Sequence, residues 1–186
     1  MKASLELLPW WLTRERELLP GIARFAVLVD PNSPLTDPFV ADVRAAAGAI
    51  GLPIEILAAG TNSEIDAAFA GLVQNRADAL LISPDVLFIN RRVQLATLAV
   101  RHAVPAIYPF REDVEAGGLM SYGSSITDLA RQVGVYTGRI LKGEKPTDLP
   151  ISRATKFEFV INLQTAKLLG LNIPPSLLAR VDEVIE

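Results

Sequence analysis

From residue 24 onward the chain alternates short apolar runs with longer stretches whose apolar residues recur every three or four positions. A strand buried on both faces shows no polar alternation, and a helix lying on a sheet shows a single apolar stripe. The pattern therefore predicts βα units on a largely parallel sheet. "FAVLV" at 25–29 is the first predicted strand. After the turn-rich "DPNSPLTDP", Asp37 caps a predicted helix whose first residue is Pro38, and Gly51 closes it behind the stripe Phe39, Val43, Ala46, Ala47 and Ile50.

The same grammar repeats. "IEIL" at 54–57 is followed by Thr61 and Glu64 at capping-box spacing and by the stripe Ile65, Ala68, Phe69, Leu72 and Val73. "ALLI" at 79–82 precedes a helix through "RRVQLATLAVRH", and "PAIY" at 105–108 is the fourth strand. Four such units imply a doubly wound, mainly parallel α/β sheet with right-handed crossovers and flanking helices, a flavodoxin-like lobe. "GLMSY" at 118–122 then follows after only a loop and leads through Ser125 and Asp128 into a helix ending near residue 142. Ile126, Leu129, Val133, Tyr136 and Ile140 line one side of that helix. "GEKPTDLPISRAT", with prolines at 146 and 150, reads as a crossing or hinge. The strand "FEFVI", a helix through "TAKLLG" and a last amphipathic helix through "SLLARVDEVI" complete residues 143–186.

A chain of 186 residues is the size of one ordinary domain and can bury about 70% of its unfolded surface. Half of it is hydrophobic and a fifth charged, as in a globular protein. The net charge of -3 leaves no basic stripe, so nucleic acid is not an expected partner. Without cysteine there are no disulfides, thiolate nucleophiles or sulfur-based zinc sites. "MKASLELLPWWLTRERELLPG" contains no apolar run of signal-peptide length, and no export signal is expected in the chain as written. Trp10 and Trp11 stand outside the βα pattern and read as packing or tail residues.

Open parallel sheets hold ligands beyond the carboxyl ends of their strands. That edge nominates Asp30, Asn32 and Ser33 after the first strand, Ser83 and Asp85 after the third, Tyr108 and Arg111 after the fourth, and Tyr122 after the fifth. Hydrogen-bonding groups and aromatic rings in this mix suit a small polar ligand with an apolar part, and Arg111 is a natural carboxylate clamp. Plainer roles stand beside each: turn chemistry at Asp30 and Asn32, a helix start at Ser83 and Asp85, packing at the two tyrosines, and a solvated charge cluster at Arg111. The single histidine, His102, falls at a helix C-terminus, where a cation is favoured, on the side away from the ligand edge. A Ser-His-Asp triad is therefore not expected. No GxGxxG or GxxxxGK[ST] loop occurs, and neither cofactor nor metal is called for.

Taken in order, "RERELLPGIARFAVLVDPNSP", "EIDAAFAGLVQNRADALLI", "RHAVPAIYPFRE", "GGLMSYGSSITDLARQVGVYTGRILKGEKPTDLP" and "KFEFVINLQTAKLLGLNIPPSLLARVDEVIE" resemble the periplasmic substrate-binding proteins of ABC transporters, in the branch that includes tryptophan- and tyrosine-type binders. The resemblance covers nearly everything after residue 12. It implies a periplasmic-binding-protein type I fold, a non-enzymatic solute-binding role, a small amino-acid-like ligand held in an interlobe cleft, an ABC permease as partner, and a periplasmic location. Members have two lobes that close by hinge motion. Residues 13–124 are similar to the second lobe, preceded by an extension at 1–12, and the helix at 125–142 is expected to return to a first lobe that the chain lacks. Its apolar side then invites pairing between two copies, a homo-oligomer. The other reading is a flavodoxin-like signalling or phosphoacceptor domain, because "FAVLVDP" places an acid at a strand end; Asp30 has no acidic neighbour of the kind receiver domains carry. An effector domain of a transcription regulator is a third, without a helix-turn-helix segment in the chain.

Overall fold

A computed structural model describes residues 23–75, 77–150 and 156–186. The expected N-terminal extension at 1–12, Trp10 and Trp11, and residues 151–155 of the connector lie outside the described residues.

Seven strands form one sheet in the order β2-β1-β3-β4-β5-β6-β7. β1 (Phe25–Val29), β2 (Ile54–Ala58), β3 (Ala79–Ile82), β4 (Ala106–Tyr108) and β5 (Met120–Ser124) are mutually parallel. β6 (Phe157–Asn162) runs antiparallel to β5, and β7 (Glu183–Ile185) runs parallel to β6. β1 and β3 are buried at every position, which explains why they read as continuous apolar runs.

Helices cover both faces. Phe39, Val43 and Ala47 of α1 (Thr36–Ala49) pack on the side chains of Phe25, Val27 and Val29. Ile65, Phe69 and Leu72 of α2 (Asn62–Asn75) pack on the opposite face, with Ala26 and Leu28. That second face also receives Phe88 of α3 (Val86–Asn90) and Leu95, Leu98 and Ala99 of α4 (Arg92–Arg101). The doubly wound architecture expected from the pattern is the one observed.

Three local expectations are corrected. α1 begins at Thr36, with Leu35 as an N-cap that makes no side-chain bond, so Asp37 is inside the first turn and does not cap it. The segment between β4 and β5 is not only a loop: α5 (Arg111–Glu115) packs over β5 and β6 with Val114 buried. The predicted helix through "SLLARVDEVI" is a single turn, α8 (Pro175–Leu178), after which the chain becomes β7. There Asp182 bonds Phe159 twice: its backbone N–H donates to the carbonyl at 2.9 Å, and its carboxylate accepts the amide at 2.8 Å. Those bonds pull residues 182–185 onto the edge of β6.

The chain leaves the sheet at Ser124 and re-enters at Phe157, its direct partner across the ladder. The described residues between them, 125–150, form an excursion from the carboxyl edge. Its main element is α6 (Ile126–Leu141), followed by a 3-10 turn at Pro146–Asp148. Ser125 caps α6 as its position predicts, accepting the Asp128 amide at 3.4 Å. No residue of α6 is buried; Val133 is 66% exposed and Leu141 82%. Tyr136 anchors the excursion to itself by donating its hydroxyl to the Pro150 carbonyl at 2.7 Å. β6 then passes into α7 (Leu163–Leu168), capped by Asn162, whose side chain accepts the Thr165 amide at 2.9 Å.

Candidate functional site at the carboxyl edge

The loop after β1 is built by its own side chains. Asp30 accepts the Asn32 backbone amide at 2.9 Å and its side-chain amide at 3.1 Å, a turn that asparagine and aspartate favour. Ser33 accepts the Leu35 amide at 3.3 Å. Beside this loop lies Gly60, just beyond β2, where a Cβ would sit 2.3 Å from the Asn32 side-chain nitrogen. A Cβ there would make the Asn32 side chain shift from its bond to Asp30.

The loop after β3 joins them. Its backbone enters next to β1, with the Ser83 amide donating to the Leu28 carbonyl at 3.0 Å. Ser83 is 2% exposed and Asp85 6%, and the Ser83 hydroxyl donates to the Asp85 carboxylate. Asp85 occupies the N-cap position of α3 without using its carboxylate to cap it. The residue types suit a helix start, but the carboxylate is spent elsewhere. The loop after β3 and the first turns of α1, with Leu35 before them, border an open cavity of 130 Å³ lined by Leu35, Pro38, Phe39, Asp42, Ser83, Pro84 and Asp85. Thus Asp30, Asn32, Ser33, Ser83 and Asp85 come together on adjacent strand ends.

The remaining three nominated residues are placed differently. Tyr108 is 1% exposed, on the α2/α4 side of the core, with its ring so close to Gly118 that a Cβ there would lie 2.8 Å from it. Its hydroxyl has no hydrogen-bond partner among the described residues, and burial, aided by the charge of Asp113, holds its ionisation far above the ordinary phenol range. Tyr122 lies inside β5, stacked on Phe157 at 5.9 Å and edge-on to Phe159 at 6.3 Å. Arg111 does clamp a carboxylate, but one from the same chain. Its two terminal nitrogens engage both oxygens of Glu183, one at 2.8 Å, while its Nε donates to Glu115 at 3.1 Å. This fork ties the start of α5 to β7.

Asp113, behind Arg111, accepts the Phe110 amide at 3.2 Å. Burial raises its pKa to about 6, against the lowering effects of that hydrogen bond and of Arg92 and with a smaller raising effect from Glu112. His102 follows α4 at the opposite edge, its ring 6.2 Å from that of Phe69. Among the described residues no cluster of three or more histidine, aspartate or glutamate side chains is arranged to hold a metal ion, and no helix is long and apolar enough to cross a membrane.

Asp42 escaped the sequence reading. It sits within α1 among alternating exposed and apolar positions and looks like a solvated helix residue. Only the fold brings it opposite Ser83 and Asp85.

An open α/β lobe with polar loops converging at one carboxyl edge is the architecture of a ligand-binding domain. The profile of ABC transporter substrate binding proteins matches residues 13–185, and the chain belongs to that family. A tyrosine-binding protein of Clostridioides difficile (strain R20291) is 26% identical over 111 residues, 60% of this chain and 32% of that relative. The ABC domain from Streptococcus pneumoniae in complex with L-Trp superposes with a TM-score of 0.87 at 25% identity, covering 96% of this chain and 60% of that one. A conserved domain protein from Vibrio cholerae O1 biovar El Tor gives 0.87 at 21% identity, with 95% and 60% covered. The chain therefore spans about a third of the curated relative and 60% of these solved structures.

Proposed function

We propose that this chain acts as a solute-binding lobe of an ABC-type importer, supplying one wall of the cleft for a small amino-acid-like ligand without chemical conversion. One observation carries the reading: the polar loops holding Asp30, Asn32 and Ser33 and holding Ser83 and Asp85 leave adjacent strands at one sheet edge, where Ser83 and Asp85 line a cavity with Leu35, Pro38 and Phe39. The names of two relatives, one binding tyrosine and one holding L-Trp, support the ligand class. Tyr108, Tyr122 and Arg111 serve this wall from behind, by filling the core and fixing α5. The partner in transport is the permease, and the working compartment is the periplasmic or outer face of the membrane.

The same reading assigns α6 to a partner surface. Ile126, Leu129, Val133, Tyr136 and Ile140 repeat at 3-4-3-4 spacing, the spacing of a helix–helix seam, and none is buried in the protomer. Two copies pairing through residues 125–142 cover it. One lobe encloses a small ligand incompletely, so affinity is in the millimolar range.

Isothermal titration with L-tryptophan and L-tyrosine tests the assignment. Weak saturable binding lost on Ser83→Ala supports it, and equal heats for both proteins sink it. Light scattering tests the pairing: a dimer that Val133→Asp converts to monomer is expected, and a wild-type monomer at high concentration refutes that part alone.

A further inference from the structure

We propose that α5 is a proton-operated latch: with Asp113 neutral the helix stays seated on β5 and β6, and with Asp113 charged it lifts off them, drawing Arg111 away from Glu183. The device stands independently of the ligand reading. It acts on the segment that leaves β4 at the carboxyl edge.

The cover is small and lightly fastened. Residues 109–119 join β4 to β5, and of the five helical residues among them only Asp113 and Val114 are buried. Three side chains from residues 162–183 hold it down. Glu183 grips the Arg111 guanidinium, the Asn162 side-chain amide donates to the Val114 carbonyl at 3.4 Å, and the Thr165 hydroxyl donates to the Gly117 carbonyl at 2.9 Å. The ion pair is partly exposed and the Asn162 bond is long, so neither adds much.

Seating α5 puts a carboxyl where water does not reach. Asp113 is 3% exposed, and among the described residues its carboxylate accepts one hydrogen bond, from the Phe110 amide. A buried carboxylate with a single donor keeps most of the cost of losing its water, whereas a neutral carboxyl does not. The buried hydroxyls of Tyr108 and its register partner Ser121 have no hydrogen-bond partner among the described residues, so they do not supply the missing donors. The charged or titratable groups facing Asp113 are Tyr108 of β4, Arg92 of α4 and Glu112 of α5 itself. β6 and β7 add Glu158 and Glu183, paired with Lys156 and Arg111, and β5 adds the uncharged Ser121. Burial outweighs the lowering effects of the Phe110 bond and Arg92, and the carboxyl titrates at about 6. Above that, the charge is relieved by opening. Lifting a five-residue helix exposes far less surface than separating the strands, so the local route is the easier one.

Native-state hydrogen exchange on the whole chain, expressed as protection factors at pH 4 and pH 7.5 with and without low urea, tests the latch. The amides of Ala116, Gly117 and Gly118 donate to the carbonyls of Glu112, Val114 and Asp113. They should lose protection about fiftyfold between the two pH values, as a carboxyl displaced from 3.8 to about 6 requires. That loss should respond little to urea, and the β1 amides should stay better protected. Asp113→Asn should hold its α5 protection at both pH values. Three results overturn the proposal: α5 amides that match β1 in protection and urea response, α5 protection that does not change with pH, or a variant that keeps the pH-dependent loss. If the variant does not fold, the carbon-13 shift of the wild-type Asp113 carboxyl decides, with a midpoint near 6 supporting the latch and one near 4 overturning it.

Discussion

Replacing Asp113 by asparagine should make the protein more stable at pH 8 and slightly less stable near pH 4. Asp113 is 3% exposed, and burial raises its pKa from 3.8 to about 6. A carboxyl that holds its proton more tightly when folded favours the folded state at low pH. Its protonation is complete in both states below about 3, differs between them from about 3 to 7, and is absent from both above that. Stability therefore falls as pH rises across that window and remains lower above it. The displacement corresponds to about 3 kcal/mol. Asparagine keeps an acceptor for the Phe110 amide but buries an amide donor, offsetting about 1 kcal/mol. A net gain of about 2 kcal/mol at pH 8 is expected, or about 4–8 °C in Tm for a chain of this length. Urea unfolding of both proteins at intervals from pH 4 to pH 8 measures it. A difference that stays constant across the range, or a variant less stable at pH 8 than at pH 4 relative to wild type, would refute the assignment of burial as the dominant cause.

Three further substitutions probe the same scaffold by thermal or urea denaturation. Tyr108→Phe removes a buried hydroxyl with no partner among the described residues and should stabilise the fold by about 1 kcal/mol; a loss of more than that would mean the hydroxyl is bonded. Gly123→Ala places a Cβ 1.8 Å from the Pro109 carbonyl oxygen, which is backbone and cannot step aside, so a loss of about 3 kcal/mol is expected; a neutral result would refute that packing. Ser125→Ala removes the cap of α6 and should cost about 1 kcal/mol of helix stability, read as faster hydrogen exchange across Ile126–Leu141; unchanged exchange would show the cap to be idle.

The parallel half of the fold was legible because each unit carries two independent periodic signals. β1 and β3 are apolar throughout, and the helices following them place Phe39, Val43, Ile65 and Phe69 at helical spacing on the sheet. The capping pair Thr61 and Glu64 was legible too, although the Glu64 carboxylate accepts the Gly60 amide at 2.7 Å, one residue before the reciprocal position. β7 was not legible. Three residues are too short to display a period, and they are held by pairing with β6 and by the Asp182 bonds, which are tertiary. α5 is five residues long and failed for the same reason.

At the site, the loops after β1 and β3 followed from the strand-end rule alone. The inward turn of Tyr108 and the engagement of Arg111 by Glu183, 72 positions away, depend on contacts no local pattern encodes. Asp42 belongs to that group as well. The amphipathic pattern of α6 was legible as well, and in the structure none of its residues is buried.

The carboxyl edge of β1 and β3 is the proposed ligand wall. Nitrogen-15 shift mapping with L-tryptophan on the whole chain addresses it directly. Saturable shifts at millimolar concentration confined to residues 30–36, Gly60 and residues 83–86 are predicted. Shifts gathered around His102 at the opposite edge, or no response there or anywhere, would contradict it.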